Sequence, residues 1–206
     1  KNKKAIAEVV KNHPLCVLVT RKKNGGKGKA LADGVRKADE LGLTHVLQID
    51  SDGQHDAERV GHFVEVSKKN PEAIICAYPE YDESAPKHRV NGRTIANAWI
   101  HTVTLSKQIK DGMIGFRIYP VAPYVKLLNS HAIIDARMGY DIDILVRLFW
   151  KNIPVICESV KVTYPVDGVS NFRLVRDNAR ISLTYARLFL GMIVRLPILI
   201  FRKKKG

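Results

Sequence analysis

An apolar run that stops at a pair of acids most constrains what this chain can fold into. The stretch "THVLQIDSDGQHD", residues 44–56, passes from strand-like residues into Asp50-Ser51-Asp52. Because side chains alternate along a strand, carboxylates two residues apart can point the same way. Open α/β sheets bind ligands beyond the carboxyl ends of their strands. The stretch therefore predicts a ligand site at one edge of a sheet.

Apolar runs alternate with segments of helical periodicity through the rest of the chain. Strands are predicted at 15–20, 45–49 and 73–77, and helices at 4–12, 30–41, 57–69 and 94–105. The alternation of strands and helices predicts an α/β fold with a mostly parallel sheet flanked by helices. Residues 155–164 alternate apolar and polar positions, which predicts an edge or antiparallel strand.

The chain is strongly basic, with a formal net charge of +14 and an isoelectric point near 9.8. This charge suits nucleic acid, an anionic membrane surface or phosphate-bearing ligands, and it does not choose among them.

Cys16, Cys76 and Cys157 lie far apart in apolar runs, so we expect buried thiols in a reducing compartment. We expect no unbroken apolar stretch long enough to span a bilayer.

The sequence changes character near its C-terminus. At a helical repeat, five arginines fall on one face and apolar residues cover the rest: Arg173, Arg176, Arg180, Arg187 and Arg195. This pattern predicts an amphipathic helix lying in a membrane interface, with its cations toward the lipid headgroups. The alternative is a terminal helix that packs on the domain and leaves its arginines in water.

Asp50 and Asp52 are candidate ligands of a divalent metal, with Gln54 within reach. Mg²⁺ or Mn²⁺ takes hard oxygen ligands and keeps open positions for phosphate oxygens. The alternative is a polar turn, and Asp56 is the expected N-cap of the following helix. Upstream, "NGGKGKALADG" places Lys27 and Gly28 where glycines let a backbone approach a phosphate. It is not a Walker A loop, because no Lys-Ser/Thr pair follows the glycines.

Four segments in order resemble family 2 glycosyltransferases of the GT-A fold: "NGGKGKALADG", "VLQIDSDGQHD", "DGMIGFRIYP" and "MGYDIDILVRLFWKNIPV". The resemblance covers nearly the whole chain and is strongest to bacterial enzymes similar to polyprenyl- or dolichyl-phosphate sugar transferases. It implies an inverting sugar transfer from a nucleotide-diphosphate sugar with Mg²⁺ or Mn²⁺. The acceptor would be lipid-linked or membrane-bound, with the enzyme peripheral on the cytoplasmic face of the cytoplasmic membrane, serving the cell envelope.

The resemblance also assigns residues. Asp50 and Asp52 match the DxD motif, and Lys27 and Gly28 match the donor-binding loop. The acceptor-side positions are Gly115, Phe116 and Arg117, together with Ser170 and Arg173 in a loop that could face phosphate; Ile114 replaces a usual small polar residue. The family's base corresponds to Asp141 or Asp143: we expect Asp141 to be the base and Asp143 to cap a helix or act indirectly. An acceptor phosphate would need no base.

The resemblance divides the chain into a GT-A catalytic domain at residues 1–164 and an acceptor loop with a membrane-associating tail at 165–206. The sequence departs from the family pattern at its start, where the family's nucleobase-binding strands are not recognisable. That corresponds to roughly 30–40 residues, so we expect weak donor binding by the chain as it stands. A truncated, inactive scaffold is one alternative. A basic nucleic-acid-binding protein is another, but it leaves the acids and the apolar tail unexplained, so we expect no nucleic acid partner.

Overall fold

A four-stranded sheet lies at the centre of the computed structural model, which describes residues 3–50, 56–81, 87–162 and 174–203. The strands are β1 (His45–Gln48), β2 (Ile74–Tyr81), β3 (Arg117–Pro120) and β4 (Val155–Val162), in the spatial order β1-β3-β2-β4. β2 and β4 pair in parallel, whereas β3 is antiparallel to both β1 and β2. Three strands therefore share one direction, which agrees with the predicted mostly parallel α/β sheet.

The described ranges contain seven helices. They are α1 (Lys3–Lys11), α2 (Lys27–Glu40), α3 (Val60–Lys69), α4 (Lys87–Thr104), α5 (Val121–Leu128), α6 (Tyr140–Trp150) and α7 (Leu174–Lys203). A short 3₁₀ turn at Ala57–Arg59 precedes α3, and the Asp56 carboxylate accepts a hydrogen bond from the Glu58 N–H at 2.9 Å. Asp56 is thus the N-cap that the sequence predicts.

Two apolar clusters cover the two faces of the sheet. Along β2, Ile74 and Cys76 face the larger cluster, which α2, α4, α6 and α7 complete. Ile75 and Ala77 face the smaller cluster around Phe63 of α3. A strand buried on both faces is a nearly continuous apolar run rather than an alternating one, and the sequence of β2 has that form.

The predicted strand at residues 15–20 is wrong. The segment is an irregular, exposed loop, with Leu15 96% exposed, and it pairs with none of the described strands. A β-branched apolar run is stable as a buried strand only where neighbouring strands and covering helices remove it from water. No such partners surround this segment in the described structure. Cys16 is consequently exposed, against the expectation of a buried thiol.

The long helix α7 combines parts of both expectations for the C-terminus. One stripe of α7, including Tyr185 and Leu188, is buried in the larger core, and the Tyr185 hydroxyl donates to Ala96 O at 2.9 Å. Arg187 and Arg195 lie beside this stripe and are half-buried, so they are not in open water. Arg176, near the start of the helix, is exposed, whereas from Ser182 onward the exposed side of the helix is apolar.

We call this exposed side the outer face of α7. It consists of Leu183, Phe189, Leu190, Ile193, Val194, Leu196, Ile198, Ile200 and Phe201. Every exposed residue from Ser182 to Phe201 is uncharged. The expectation that no stretch could span a bilayer is wrong by length and composition, because residues Val175–Arg202 have a mean hydropathy of 1.7 over an 18-residue window.

The pairing of β2 with β4 places Cys76 beside Cys157. The neighbouring Cys76 thiol lowers the pKa of Cys157 to about 7, with further help from Lys110, although burial opposes the shift. With Cys16 replaced by serine, we expect iodoacetamide to alkylate Cys157 with an apparent pKa near 7. Replacing Cys76 with alanine should move this pKa upward, because the neighbouring thiol that favours the Cys157 thiolate is lost.

The measurement is the alkylation rate against pH, followed by mass spectrometry of the Cys157 peptide. If Cys76→Ala leaves the pKa of Cys157 unchanged, the pairing of β2 with β4 that places Cys76 beside Cys157 is contradicted.

Candidate active site

Three chain segments converge where β1 ends. The Lys27 ammonium, in the first turn of α2, lies 2.6 Å from Asp50 Oδ1, just beyond β1. The same ammonium lies 2.8 Å from Asp141 Oδ2, in the first turn of α6. The structure thus brings together three of the residues that the sequence assigns to donor binding and catalysis.

The charge on Lys27 is held in place by these carboxylates. Burial disfavours the ammonium form, but Asp141 and Asp50 outweigh burial and raise the pKa of Lys27 above its usual value. The Lys27 side chain remains 32% exposed, whereas that of Asp141 is 8% exposed. A soluble anion can therefore reach the lysine from the open side.

Asp141 is fixed from two further directions. Gln48, the last residue of β1, donates from Nε2 to Asp141 Oδ1 at 2.8 Å. Arg117 of β3 donates from Nη1 to the Asp141 backbone carbonyl at 2.7 Å. Lys27 and Gln48 together occupy both carboxylate oxygens, so the orientation of this acid is set before any substrate arrives.

Arg117 is fully buried directly beneath the site. Its Nη1 also donates to the Tyr119 hydroxyl at 3.0 Å, while Nε and Nη2 lack a hydrogen-bond partner among the described residues. Burial disfavours its charge, but Tyr119, Cys76 and Asp141 outweigh burial and hold the pKa of Arg117 above its ordinary value. A buried guanidinium this close to Asp141 offsets part of the negative charge that Asp50 and Asp141 bring to the site.

The "GFR" segment, predicted to line the acceptor side, contributes in different ways at its three positions. Gly115 borders the Asp50 carboxylate so closely that an added Cβ would lie 2.2 Å from Asp50 Oδ2. The Phe116 side chain is fully buried and stacks on Phe63, with ring centroids 4.4 Å apart. Only Gly115 of the three thus lies at the open side of the site.

Gly28 lets α2 approach α6. Its N–H donates to Ala136 O at 3.0 Å, and an added Cβ would lie 2.4 Å from the ring of Tyr140. The Tyr140 hydroxyl accepts from Tyr124 at 2.9 Å, and burial raises the pKa of Tyr140 to about 12. Gly28 therefore brings Lys27 within reach of Asp141, in addition to lying in the loop assigned to the donor.

Asp143 lies on another side of α6 and does not join this cluster. Its carboxylate forms an ion pair with Arg147 and accepts from the Asp135 N–H at 2.8 Å. Arg187 of α7 lies 4.0 Å away. Burial raises the pKa of Asp143, although Arg147 opposes the shift. These contacts join α6, the loop before it and α7.

Asp50 has the chemistry of a divalent-metal ligand, because carboxylate oxygens are the hard ligands that Mg²⁺ and Mn²⁺ take. In the structure its carboxylate packs against Gly115 and its Oδ1 is ion-paired with Lys27. The described residues contain no group of three candidate ligands. The remaining predicted positions, Asp52, Gln54, Ser170 and Arg173, lie outside the described residues.

The sequence reasoning did not identify Gln48, Tyr119 and Tyr140. The signal for Gln48 is its spacing, because it lies two residues before Asp50 on the strand and so shares its side. Tyr140 has no comparable signal, since its role depends on the contact with Gly28 across two helices.

With this geometry established, comparison with known families is informative. The sequence profile described as "Glycosyl transferase family 2" matches residues 2–130, which is more than half of the chain. The chain therefore belongs to glycosyl transferase family 2. A comparison with curated protein sequences gave no match.

Solved structures with a similar fold include glucosyl-3-phosphoglycerate synthase from Mycobacterium tuberculosis. Its complex with Mn²⁺, UDP-glucose and glycerol 3-phosphate has a TM-score of 0.55 and 15% identity, covering 84% of this chain and 56% of that one. Its phosphoglyceric acid complex has a TM-score of 0.55 and 16% identity over the same shares. Another structure of that enzyme has a TM-score of 0.54 and 15% identity, covering 94% and 64%.

Identities this low establish the fold alone, and it is the GT-A glycosyltransferase fold that the sequence predicts. The chain spans 56% to 64% of the length of these structures.

The contact of Gly28 with Tyr140 can be tested by two matched substitutions in α2. Gly28→Ala should lower the free energy of unfolding by about 1–3 kcal/mol, because the methyl group has no room beside a buried ring. Gly34→Ala, in the same helix with open space around it, should instead raise stability by about 0.5–1 kcal/mol through helix propensity.

Chemical denaturation followed by circular dichroism measures both values. Equal stabilisation by the two alanines would contradict the close approach of α2 to α6.

Proposed function

We propose that the protein transfers a sugar from a nucleotide-diphosphate sugar to a membrane-bound acceptor, with inversion and with a divalent metal. The observation that carries this proposal is the Lys27 ammonium between Asp50 and Asp141 at the carboxyl end of β1. A cation held by two acids at that edge is positioned to receive the phosphates of a donor. The complex of the M. tuberculosis enzyme with Mn²⁺ and UDP-glucose supports the choice of donor and metal.

Asp50 would hold the metal together with Asp52 and Gln54. The metal, when bound, would neutralise charge on the leaving diphosphate. Lys27 serves the same diphosphate from α2. As its ammonium turns toward the phosphates, Asp141 Oδ2 is released from the ion pair.

Asp141 is the proposed base. Once released by Lys27, it accepts the proton of an acceptor hydroxyl while the new carbon–oxygen bond forms and the bond to the diphosphate breaks. Gln48 keeps the other oxygen in place, so the carboxylate does not rotate away. Asp143 acts indirectly, because both of its oxygens are engaged in holding α6 and its neighbours together. An acceptor phosphate would attack without a base.

The acceptor class is proposed from α7. Its outer face presents large apolar side chains to solvent, with Val194 79% exposed and Phe201 70% exposed. An exposed face of nine large apolar side chains is unusual on a soluble monomer. It suits the boundary between lipid headgroups and acyl chains. We propose that α7 lies along the cytoplasmic face of the membrane, where the free thiols of the chain stay reduced.

Titration calorimetry of UDP with and without Mn²⁺ tests the donor site. Asp50→Asn should weaken UDP binding in Mn²⁺ by at least about 10-fold, because a ligand of the metal is lost. Asp39→Asn, an exposed acid at the other end of α2, is the control and should leave the affinity unchanged.

An affinity for UDP that neither Mn²⁺ nor the Asp50→Asn substitution changes would refute the proposed metal and donor site. GDP, titrated in parallel, identifies the preferred base.

A further inference from the structure

A basic cavity lies between α5, α6 and α7, away from the glycosyltransferase site. Its volume is about 420 Å³, within the usual range for a small-ligand pocket. The polar and aromatic side chains that line it are Ser130, His131, Arg147, Trp150, Lys151 and Arg195. Trp150 is at the opposite end of α6 from Asp141, roughly 13 Å away at about 1.5 Å per residue.

The charges in this cavity are unbalanced. No acidic residue is among those that line it. Arg147 is neutralised from behind by Asp143. The described contacts give no carboxylate partner to Lys151 or Arg195, so the cavity carries two uncompensated cations.

Arg195 is held in position for a ligand. Its guanidinium carbon lies 4.8 Å from the centre of the Trp150 ring, and Nη1 donates to Gly191 O at 2.8 Å. Trp150 is itself anchored, because its Nε1 donates to Val103 O at 2.9 Å. A guanidinium stacked on a fixed indole keeps its other N–H groups available for an anion.

The cavity opens beside the outer face of α7. Arg195 lines the cavity, while its neighbours Val194 and Leu196 belong to the outer face. Arg202, about two helical turns after Arg195, donates to the last carbonyls of α6, at Phe149 and Trp150. Cations and a tryptophan next to an exposed apolar surface form the pattern of a protein surface at lipid headgroups.

We propose that this cavity binds the phosphate headgroup of an anionic membrane lipid when α7 lies in the membrane interface. The proposal rests on the membrane association given under the proposed function. Lys151 and Arg195 contact the phosphate, and the outer face of α7 contacts the acyl chains. Such a site fixes the rotation of α7, which also reaches the N-terminus of α6 through Arg187 and Asp143.

Vesicle flotation with the full chain tests this site, using phosphatidylcholine vesicles with and without phosphatidylglycerol. The variant Lys151→Gln with Arg195→Gln should bind anionic vesicles about 25-fold more weakly, from about 5-fold per cation. The control, Lys68→Gln with Lys69→Gln on the exposed side of α3, removes the same charge and should change binding less than 2-fold. Lys151→Glu alone, at an exposed position, should also weaken binding without disturbing the fold.

Three outcomes overturn the proposal in distinguishable ways. Equal losses for the cavity variant and the control would mean that the total charge, rather than this cavity, is recognised. Displacement from vesicles by millimolar inorganic phosphate would mean that the cavity binds free anions. Absence of binding to either vesicle would refute the membrane association as well, while UDP titration of the same variants reports on the donor site separately.

Discussion

Lys27 places its ammonium between the carboxylates of Asp50 and Asp141, and the convergence of three chain segments depends on that position. Without a cation there, two carboxylates from β1 and α6 would repel each other across a partly buried space. The raised pKa of Lys27 has this physical origin, since the two acids outweigh the effect of burial. Because Lys27 is partly exposed, solvent weakens the ion pairs, and an incoming diphosphate can compete for the ammonium.

Close backbone contacts make this arrangement possible. Gly28 lets the start of α2 meet the ring of Tyr140, and Gly115 leaves room for the Asp50 carboxylate. Beneath them, the buried guanidinium of Arg117 fixes the backbone of Asp141. From the other side, Arg187 and Asp143 connect α6 to α7. The proposed membrane helix and the proposed catalytic base therefore belong to one packed unit.

The periodicity of the sequence predicts most of this fold. The helices α2, α3 and α4 and the strands β1 and β2 follow from apolar patterns, and the Asp56 cap follows from residue type. The segment at 15–20 was mispredicted because strand propensity says nothing about whether a partner strand is beside it. The antiparallel insertion of β3 between β1 and β2 was equally hidden, because strand order depends on contacts distant in sequence.

For the site, local spacing and family resemblance singled out Lys27, Asp50 and Asp141, whereas their ion pairs needed the structure. Gln48 was not singled out, although it lies two residues before Asp50 and that spacing puts both side chains on the same side. The arginines of α7 have a helical repeat, but that repeat cannot say which side of the helix meets the protein. The structure places Arg187, Arg195 and Arg202 on protein groups and leaves the apolar side exposed.

A double-mutant cycle between Lys27 and Asp141 tests the central claim most directly. The free energy of unfolding is measured for Lys27→Met, Asp141→Asn and the double variant, at neutral pH and low salt. A salt-sensitive coupling of about 0.5–3 kcal/mol is the predicted result, because each residue loses its partner in the single variants. Losses that add within about 0.3 kcal/mol would contradict the ion pair and, with it, the convergence of α2, β1 and α6 on one site.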